Sequence, residues 1–317
     1  MARILVTGGT GLLGRNIVAN LQALGHTPRV VTRQRRESGG MADVEHTSVD
    51  LLTADAQTLA GLTRGCDVAI HLAWETRHGA LWSAPENLDW VGASLRLLRS
   101  FHDSGGQRFL GVGTGVEYEA PGDGPCIPGH TPIAPTHLYA VAKDAFHRVL
   151  ASFAAGSEME YAWARVFYLI GPGEAEERLV PSLISGLLAG RTVQCSSGRQ
   201  LRDYMDVRDA GEAIARLGVT TAANGAFNIA TGRPVTIADV ARTVGRMLGK
   251  DELIALGAMA DRPSEPPNLW GDITSLRQAT GFEPRRSLDD AVEYSIAHAK
   301  EQRKRRNSFS ATKSNGD

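Results

Sequence analysis

Leu5-Val6-Thr7-Gly8-Gly9-Thr10-Gly11-Leu12-Leu13-Gly14 is the stretch whose reading decides the fold. The run before it, Ala2–Val6, is short and apolar, as a strand buried on both faces must be. After it, Leu13, Ile17, Val18, Leu21 and Leu24 recur three and four residues apart, the period of an amphipathic helix. Between them lies Gly9-x-Gly11-x-x-Gly14, with Gly8 three residues ahead of Gly11. Glycines so placed make a tight turn, let backbone N–H groups approach a pyrophosphate, and let helix and strand pack closely. The helix start adds unpaired donors and the positive end of its dipole. This context points to a dinucleotide site; a merely Gly-rich strand–helix turn is the bland alternative.

Further along, the same alternation repeats. Pro28–Thr32, Val44–Val49, Asp67–Ala73, Arg108–Val112 and Tyr161–Phe167 read as strands, with helical patterns around Ala54–Leu62, Asn87–Asp103 and from Thr136. Six such repeats fill about the first 170 residues, which predicts an α/β, Rossmann-type doubly wound parallel sheet. Residues 1–170 are therefore expected to form the dinucleotide-binding domain, with a return to it around 206–230. Residues 171–300 are expected to be mainly a smaller substrate-binding lobe, and 301–317 a disordered tail, because the Lys/Arg-, Ser- and Asn-rich sequence from about Lys300 lacks apolar periodicity.

The 317 residues carry a net charge of −1, which gives no bulk electrostatic case for nucleic acid or a membrane surface. The longest apolar runs, such as Val68–Trp74, are strand-length and too short to span a bilayer. Gly8 interrupts the N-terminal run before a signal-peptide core can form. Cys66, Cys126 and Cys195 are widely spaced and odd in number; they fit neither a metal knuckle nor a disulfide framework, and suit a reducing cytoplasm.

The second strand ends in Thr32-Arg33-Gln34-Arg35-Arg36, where an NAD site usually carries an acidic residue for the ribose 2′-OH. The first acid is Glu37. Arg33 and Arg35 instead suit a 2′-phosphate, so NADP is expected, with NAD as the alternative. A solvated basic loop is the bland reading. His71, at the end of the fourth strand, reads as a packed or cofactor-edge histidine more readily than a catalytic one. Trp74 and Trp82 follow in a loop at the carboxyl ends of the strands, and serve either substrate stacking or lid packing.

Tyr139 and Lys143 stand four residues apart, on one face of a helix that follows the fifth strand. Reduction of a ketone by a nicotinamide requires a proton donor for the nascent alkoxide. A free phenol has a pKa near ~10, and a nearby ammonium lowers it. Thr114, at the end of the fifth strand, can orient the same carbonyl oxygen. Together these residues predict hydride chemistry.

The motifs Thr7–Gly14, His71-Leu72-Ala73, Thr114 and Tyr139/Lys143 together resemble the extended short-chain dehydrogenase/reductase family, in its nucleotide-sugar epimerase/dehydratase/reductase branch. Arg165-Val166-Phe167 with Gly171-Pro172-Gly173, Arg202-Asp203-Tyr204, Asn228–Arg233 and Asp272 extend the resemblance to about residue 300. It implies that Gly8, Gly11 and Gly14, with Leu12 and Leu13 between them, hold the pyrophosphate. Asp50 and Leu51 then border the adenine, and Leu72 and Ala73 the nicotinamide ribose side. Thr114, Tyr139 and Lys143 form a catalytic triad, the last two also touching cofactor. Arg202 and Arg262 grip a nucleotide-sugar diphosphate, and a homodimer forms through helices near 88–102 and 138–154, with Phe146 and Phe153 as compatible apolar residues.

Three departures matter. Gly115-Val116 replaces the Asp-Glu pair that the dehydratase branch places after the threonine. Asp89 and Tyr168 stand where the family usually has asparagines. The expectation is an NADP-dependent reductase of a nucleotide-linked 4-keto sugar. The alternatives are an epimerase with tightly held NAD, a reductase of another small carbonyl compound, and a non-enzymatic protein that kept the fold.

Overall fold

A computed structural model describes residues 1–33, 44–77, 79, 81–262 and 266–314, with side chains to 306. In chain order, β1 (Arg3–Thr7), α1 (Leu12–Ala23), β2 (Thr27–Thr32), β3 (Glu45–Ser48), α2 (Ala56–Thr63), β4 (Val68–His71), α3 (Glu86–Asp103) and β5 (Arg108–Thr114) come first. A 3₁₀ turn, Gly115–Glu117, leads to α4 (Leu138–Ala155), β6 (Glu160–Val166), β7 (Tyr168–Ile170) and α5 (Leu179–Leu188). Next are β8 (Val193–Gln194), β9 (Leu201–Arg202), β10 (Tyr204–Asp206), α6 (Val207–Val219), β11 (Gly225–Ile229), β12 (Val235–Thr236) and α7 (Ile237–Leu248). β13 (Ile254–Ala255), β14 (Asn268–Leu269), α8 (Thr274–Thr280) and α9 (Leu288–Ser314) complete the described chain.

Seven strands pair in parallel in the order β11-β6-β5-β4-β1-β2-β3. The order reverses at β1 and β4, where a doubly wound sheet opens a crevice at its carboxyl edge. Parallel strands need cover on both faces, and both are covered. Ile17, Val18 and Leu21 of α1 pack with Ala210, Ala213 and Ile214 of α6 over Ile4, Val6 and Ile70. On the other face α2, α3 and α4 bury Leu59, Leu97, Phe101, Phe146 and Leu150 against Leu5, Ala69, Phe109 and Trp163. The short strands lie outside this sheet. α5, α7 and α9 share a separate core of Leu183, Ile184, Val240, Val244, Val292 and Ile296.

Two sequence expectations read differently here. The last helix continues to Ser314, beyond the point near Lys300 where a frayed tail is expected. Lys, Arg, Glu and Gln are strong helix formers, and Arg305 pairs with Glu301 one turn before it at 2.6 Å. Phe146, expected as an interface residue, is a core residue at 1% exposure. The exposed large apolar side chains of α3 and α4 are Leu88, Val141 and Val149. The three cysteines are buried and free. No helix among the described residues is long and apolar enough to cross a membrane.

Candidate active site

The glycine turn forms at the end of β1. Gly8 takes φ +71°, a conformation that a side chain strains, and a Cβ there would sit 3.1 Å from the Ala73 nitrogen. Gly11 donates its N–H to the Gly8 carbonyl at 3.0 Å and caps α1 without a side-chain partner for the helix N–H groups. A Cβ on Gly14 would fall 2.3 Å from the Gly8 oxygen, so the first turn of α1 presses directly on the loop. This is a cradle whose close walls are backbone, with N–H groups at its mouth, and it fits a dinucleotide pyrophosphate. Leu12 and Leu13 begin α1, both half-buried.

β4 delivers the opposite wall. His71 bridges Thr7 Oγ1 (2.8 Å to Nδ1) and Ser94 Oγ (2.8 Å to Nε2), and Thr7 Oγ1 also accepts from the Ala73 N–H at 3.2 Å. Burial pushes the His71 pKa down to about 3, with the Lys143 charge assisting, so the ring is neutral. It is a packed histidine that ties β1, β4 and α3 together and sets Leu72 and Ala73 beside the glycine turn. Asp50 turns the chain after β3, its Oδ1 accepting from Leu52 N at 3.0 Å. Leu51 is buried, and its carbonyl accepts from Arg96. Arg33 is exposed at the end of β2, near enough for its charge to act on Glu75 just past β4. Arg35 lies outside the described residues.

β5 ends in Thr114, whose N–H donates to Glu117 Oε1 at 2.8 Å. Glu117 is fully buried and forms an ion pair with Arg165 at 2.7 Å; it also accepts from the Trp163 indole at 3.0 Å. Burial raises the Glu117 carboxyl while the Arg165 charge opposes it. This network is a hub that the sequence reading missed; the one signal for it was an acid in an otherwise Gly-rich turn. The place of the dehydratase acid is closed as well. A Cβ on Gly115 would lie 2.9 Å from the Phe167 ring, so Gly115 leaves no room there for a side chain.

α4 presents Tyr139 and Lys143 on the face turned to the sheet, both beside the same apolar cluster. Tyr139 is half-buried, edge-on to Trp82 at 6.0 Å. Here the electrostatics depart from expectation. Burial pushes the Tyr139 phenol well above its ordinary value, with Glu117 raising it further and the Arg178 guanidinium opposing. Lys143, one turn further on, has other partners. Its ammonium is drawn instead to the Val112 carbonyl at 2.8 Å and the face of Trp74, 3.9 Å from the ring centroid. Burial brings the Lys143 pKa down to about 7, against the Glu117 charge that raises it.

Trp74, expected as a substrate contact, is a buried residue at 6% exposure. Its indole donates to Asn87 Oδ1 at 2.8 Å and stacks on Trp90, which turns it toward the interior. Arg202 on β9 is also buried, donating to the Leu201 carbonyl at 2.8 Å beneath Tyr168, while Arg262 is exposed. Asp203 next to Arg202 accepts from Thr231 and Gly232, pinning the loop after β11. Arg178 at the start of α5 is a basic residue near Tyr139 that the sequence reading did not single out.

A glycine cradle at the sheet's switch point and a Tyr/Lys helix beside it place this chain among enzymes that hold a dinucleotide. The model of the NAD dependent epimerase/dehydratase family matches residues 4–230. The chain belongs to this family. The chain is similar to a dTDP-6-deoxy-L-talose 4-dehydrogenase (NAD(+)) of Aggregatibacter actinomycetemcomitans, 26% identical over 74% of this chain and 86% of that one. A dTDP-glucose 4,6-dehydratase of an Actinoplanes species is 25% identical over 93% of this chain and 97% of its own length. Among solved structures, the dTDP-glucose 4,6-dehydratase DesIV from Streptomyces venezuelae, with NAD bound, superposes with a TM-score of 0.83. That match has 23% identity and covers 95% of this chain and 98% of DesIV. A UDP-N-acetylglucosamine 4-epimerase from Bacillus cereus superposes at 0.81 with 20% identity, covering 94% of this chain and 96% of that one. At these identities the superpositions show the shared fold. As a member of the epimerase/dehydratase family, the chain is an enzyme of the NAD(P)-dependent oxidoreductase/epimerase class, and the relatives named above are enzymes of dTDP-linked sugars.

Proposed function

We propose that this family member is an NADP-dependent reductase of a nucleotide-linked 4-keto sugar. What carries the reading is the pairing of Tyr139 and Lys143 with a β5 turn in which Phe167 fills the space of a side chain at 115. The turn thus supplies a threonine for the carbonyl but no acid–base pair for 4,6-elimination. A relative named as an NAD(+)-linked 4-dehydrogenase of a dTDP-6-deoxy sugar supports the keto-sugar part of this reading. Bound at the glycine cradle, a reduced nicotinamide supplies the hydride. Thr114 orients the keto oxygen. As the carbonyl carbon accepts the hydride, the C=O π pair moves to oxygen and takes the Tyr139 proton, leaving the sugar hydroxyl. Tyr139 is then reprotonated from solvent. Arg33 and Arg35 receive the 2′-phosphate, Leu12, Leu13, Asp50, Leu51, Leu72 and Ala73 line the cofactor, and Arg202 and Arg262 hold the sugar-nucleotide diphosphate.

A panel of nucleotide-linked 4-keto sugars, with NADPH oxidation as the readout, tests the proposal. We expect stoichiometric NADPH consumption with one of them, tighter binding of NADPH than NADH, and no NAD carried through purification. Retained NAD with epimer formation and no net consumption would replace this reading with the epimerase one. Charge-assisted hydrogen bonds are worth about 1.5–3 kcal/mol. Arg262→Ala, at an exposed position, is therefore expected to raise KM about 10- to 100-fold with little change in melting temperature. An unchanged KM would point to a carbonyl substrate without a diphosphate. We further propose a homodimer through α3 and α4, where Leu88, Val141 and Val149 are exposed.

A further inference from the structure

We infer that Trp74 is a positioning residue for Lys143: its indole face is the seat on which the ammonium is held at the end of β5, within one helical turn of Tyr139. The inference rests on the reading of Lys143 as part of the reaction machinery.

The seat is rigid. Trp74 stacks on Trp90 with centroids 6.1 Å apart and planes at 24°, and its Nε1–H donates to Asn87 Oδ1 at 2.8 Å. Asn87 is itself fully buried, donating to the carbonyls of Leu81 at 2.9 Å and Ala84 at 2.8 Å. The indole therefore has one orientation, fixed from behind by α3 and from the edge by the 81–87 turn. Over the ring lies Lys143 Nζ, 3.9 Å from its centroid, with the Val112 carbonyl 2.8 Å away. Lys143 is only 3% exposed, and neither partner is a carboxylate. An ammonium taken from water in this way depends on the ring's quadrupole and one carbonyl dipole to remain charged. Trp74 thus does a task different from substrate stacking. It keeps a cation in place where burial alone favours a neutral amine.

Among the described residues, the groups that face this ammonium are few. Tyr139 lies on its own helix. Glu117, on the 3₁₀ turn after β5, favours the charged form. His71, on β4, is neutral throughout the physiological range, with a pKa near 3. Glu75, next to Trp74, is engaged by Arg77 at 3.1 Å, and Arg178 at the start of α5 acts on Tyr139. With these unchanged, the ring is the variable that sets the protonation of Lys143.

The chain has five lysines, so the free enzyme labelled with ¹³C-lysine gives a tractable NMR spectrum. We expect one ε-CH₂ resonance shifted upfield by the indole ring current, absent from Lys143→Arg, with a pH inflection near 7 as burial dictates. Trp74→Phe and Trp74→Leu keep the site dry while weakening and then removing the π face. The inflection is expected to fall in the order Trp, Phe, Leu, by about one pH unit over the series. The upfield shift is expected to be reduced in Trp74→Phe and lost in Trp74→Leu. A packing role alone predicts lower melting temperatures with the inflection unmoved. An inflection unchanged in either folded variant, or no upfield lysine in the parent, would overturn the inference. None of these readouts needs a substrate. An inactive protein with a ring-shifted Lys143 would sink the functional reading and leave this one standing.

Discussion

Replacing Tyr139 with phenylalanine is expected to lower turnover by about 10²- to 10⁴-fold, the usual worth of positioned acid–base catalysis, while leaving cofactor affinity within a few-fold of the parent. The asymmetry follows from where the side chain sits. Its ring packs edge-on to Trp82 and lies against the apolar cluster of α3 and α4, contacts that phenylalanine reproduces. Its hydroxyl is what changes. Burial holds the phenol protonated well above the ordinary range, so at neutral pH the side chain is a loaded proton donor. That state suits reduction, in which the nascent alkoxide must be protonated; oxidation needs the phenolate and meets a barrier in the free enzyme. Steady-state kinetics of Tyr139→Phe in the reductive direction, with NADPH binding followed separately by fluorescence, measure both halves. Turnover within a few-fold of the parent would remove Tyr139 from the reaction. It would favour a binding protein that kept the fold, or a different donor.

The second large effect concerns stability. Arg165→Met is expected to cost about 3–5 kcal/mol, because it strands a buried carboxylate. Glu117 is fully buried and Arg165 is 3% exposed, and the two stand 48 positions apart in the chain. Besides this pair, Arg165 donates to the Tyr118 hydroxyl and His147 Nδ1, both at 3.3 Å. Tyr118 in turn donates to Asn228 at 2.9 Å. The loss therefore reaches β6, β11 and the turn that carries Thr114. A deficit of that size corresponds to a melting temperature lower by roughly 5–8 °C in a chain this long. The pH dependence has a definite sign. Without Arg165, the folded pKa of Glu117 lies above its unfolded value, so the deficit is full above the folded pKa and shrinks as pH falls toward the unfolded one. Glu117→Gln combined with Arg165→Met removes the stranded charge and is expected to recover part of the deficit at neutral pH. Thermal melts of the two variants across pH check both statements, and a deficit below 1 kcal/mol for Arg165→Met would show that water reaches Glu117.

Much of the architecture was legible because it is written in local patterns. Ile17, Val18 and Leu21 repeat at helical spacing and face the sheet, and the glycines at 8, 11 and 14 declare a turn that backbone alone can line. Tyr139 and Lys143 fall on one face of α4 because 3.6 residues make a turn, whatever surrounds them. The family resemblance rests on these same stretches, and the match over residues 4–230 agrees with it.

Protonation, burial and partnership were not legible, because they depend on residues far apart in the chain. Trp74 could stack on a substrate or pack a lid until the structure set it against Trp90 and Asn87. Lys143 was expected to act on its neighbour one turn back; it meets a carbonyl 31 residues away instead. Beyond its place in a Gly-rich turn, nothing local marks Glu117, and only the approach of β6 makes it the buried hub beneath Thr114. By itself the sequence determined a doubly wound sheet, a dinucleotide turn and a tyrosine–lysine helix, since each follows from spacing and backbone conformation within a few residues. The tertiary structure alone decided which charges are desolvated and what faces them, because the energy of a charge is set by the dielectric and dipoles around it, and these come from other strands and helices.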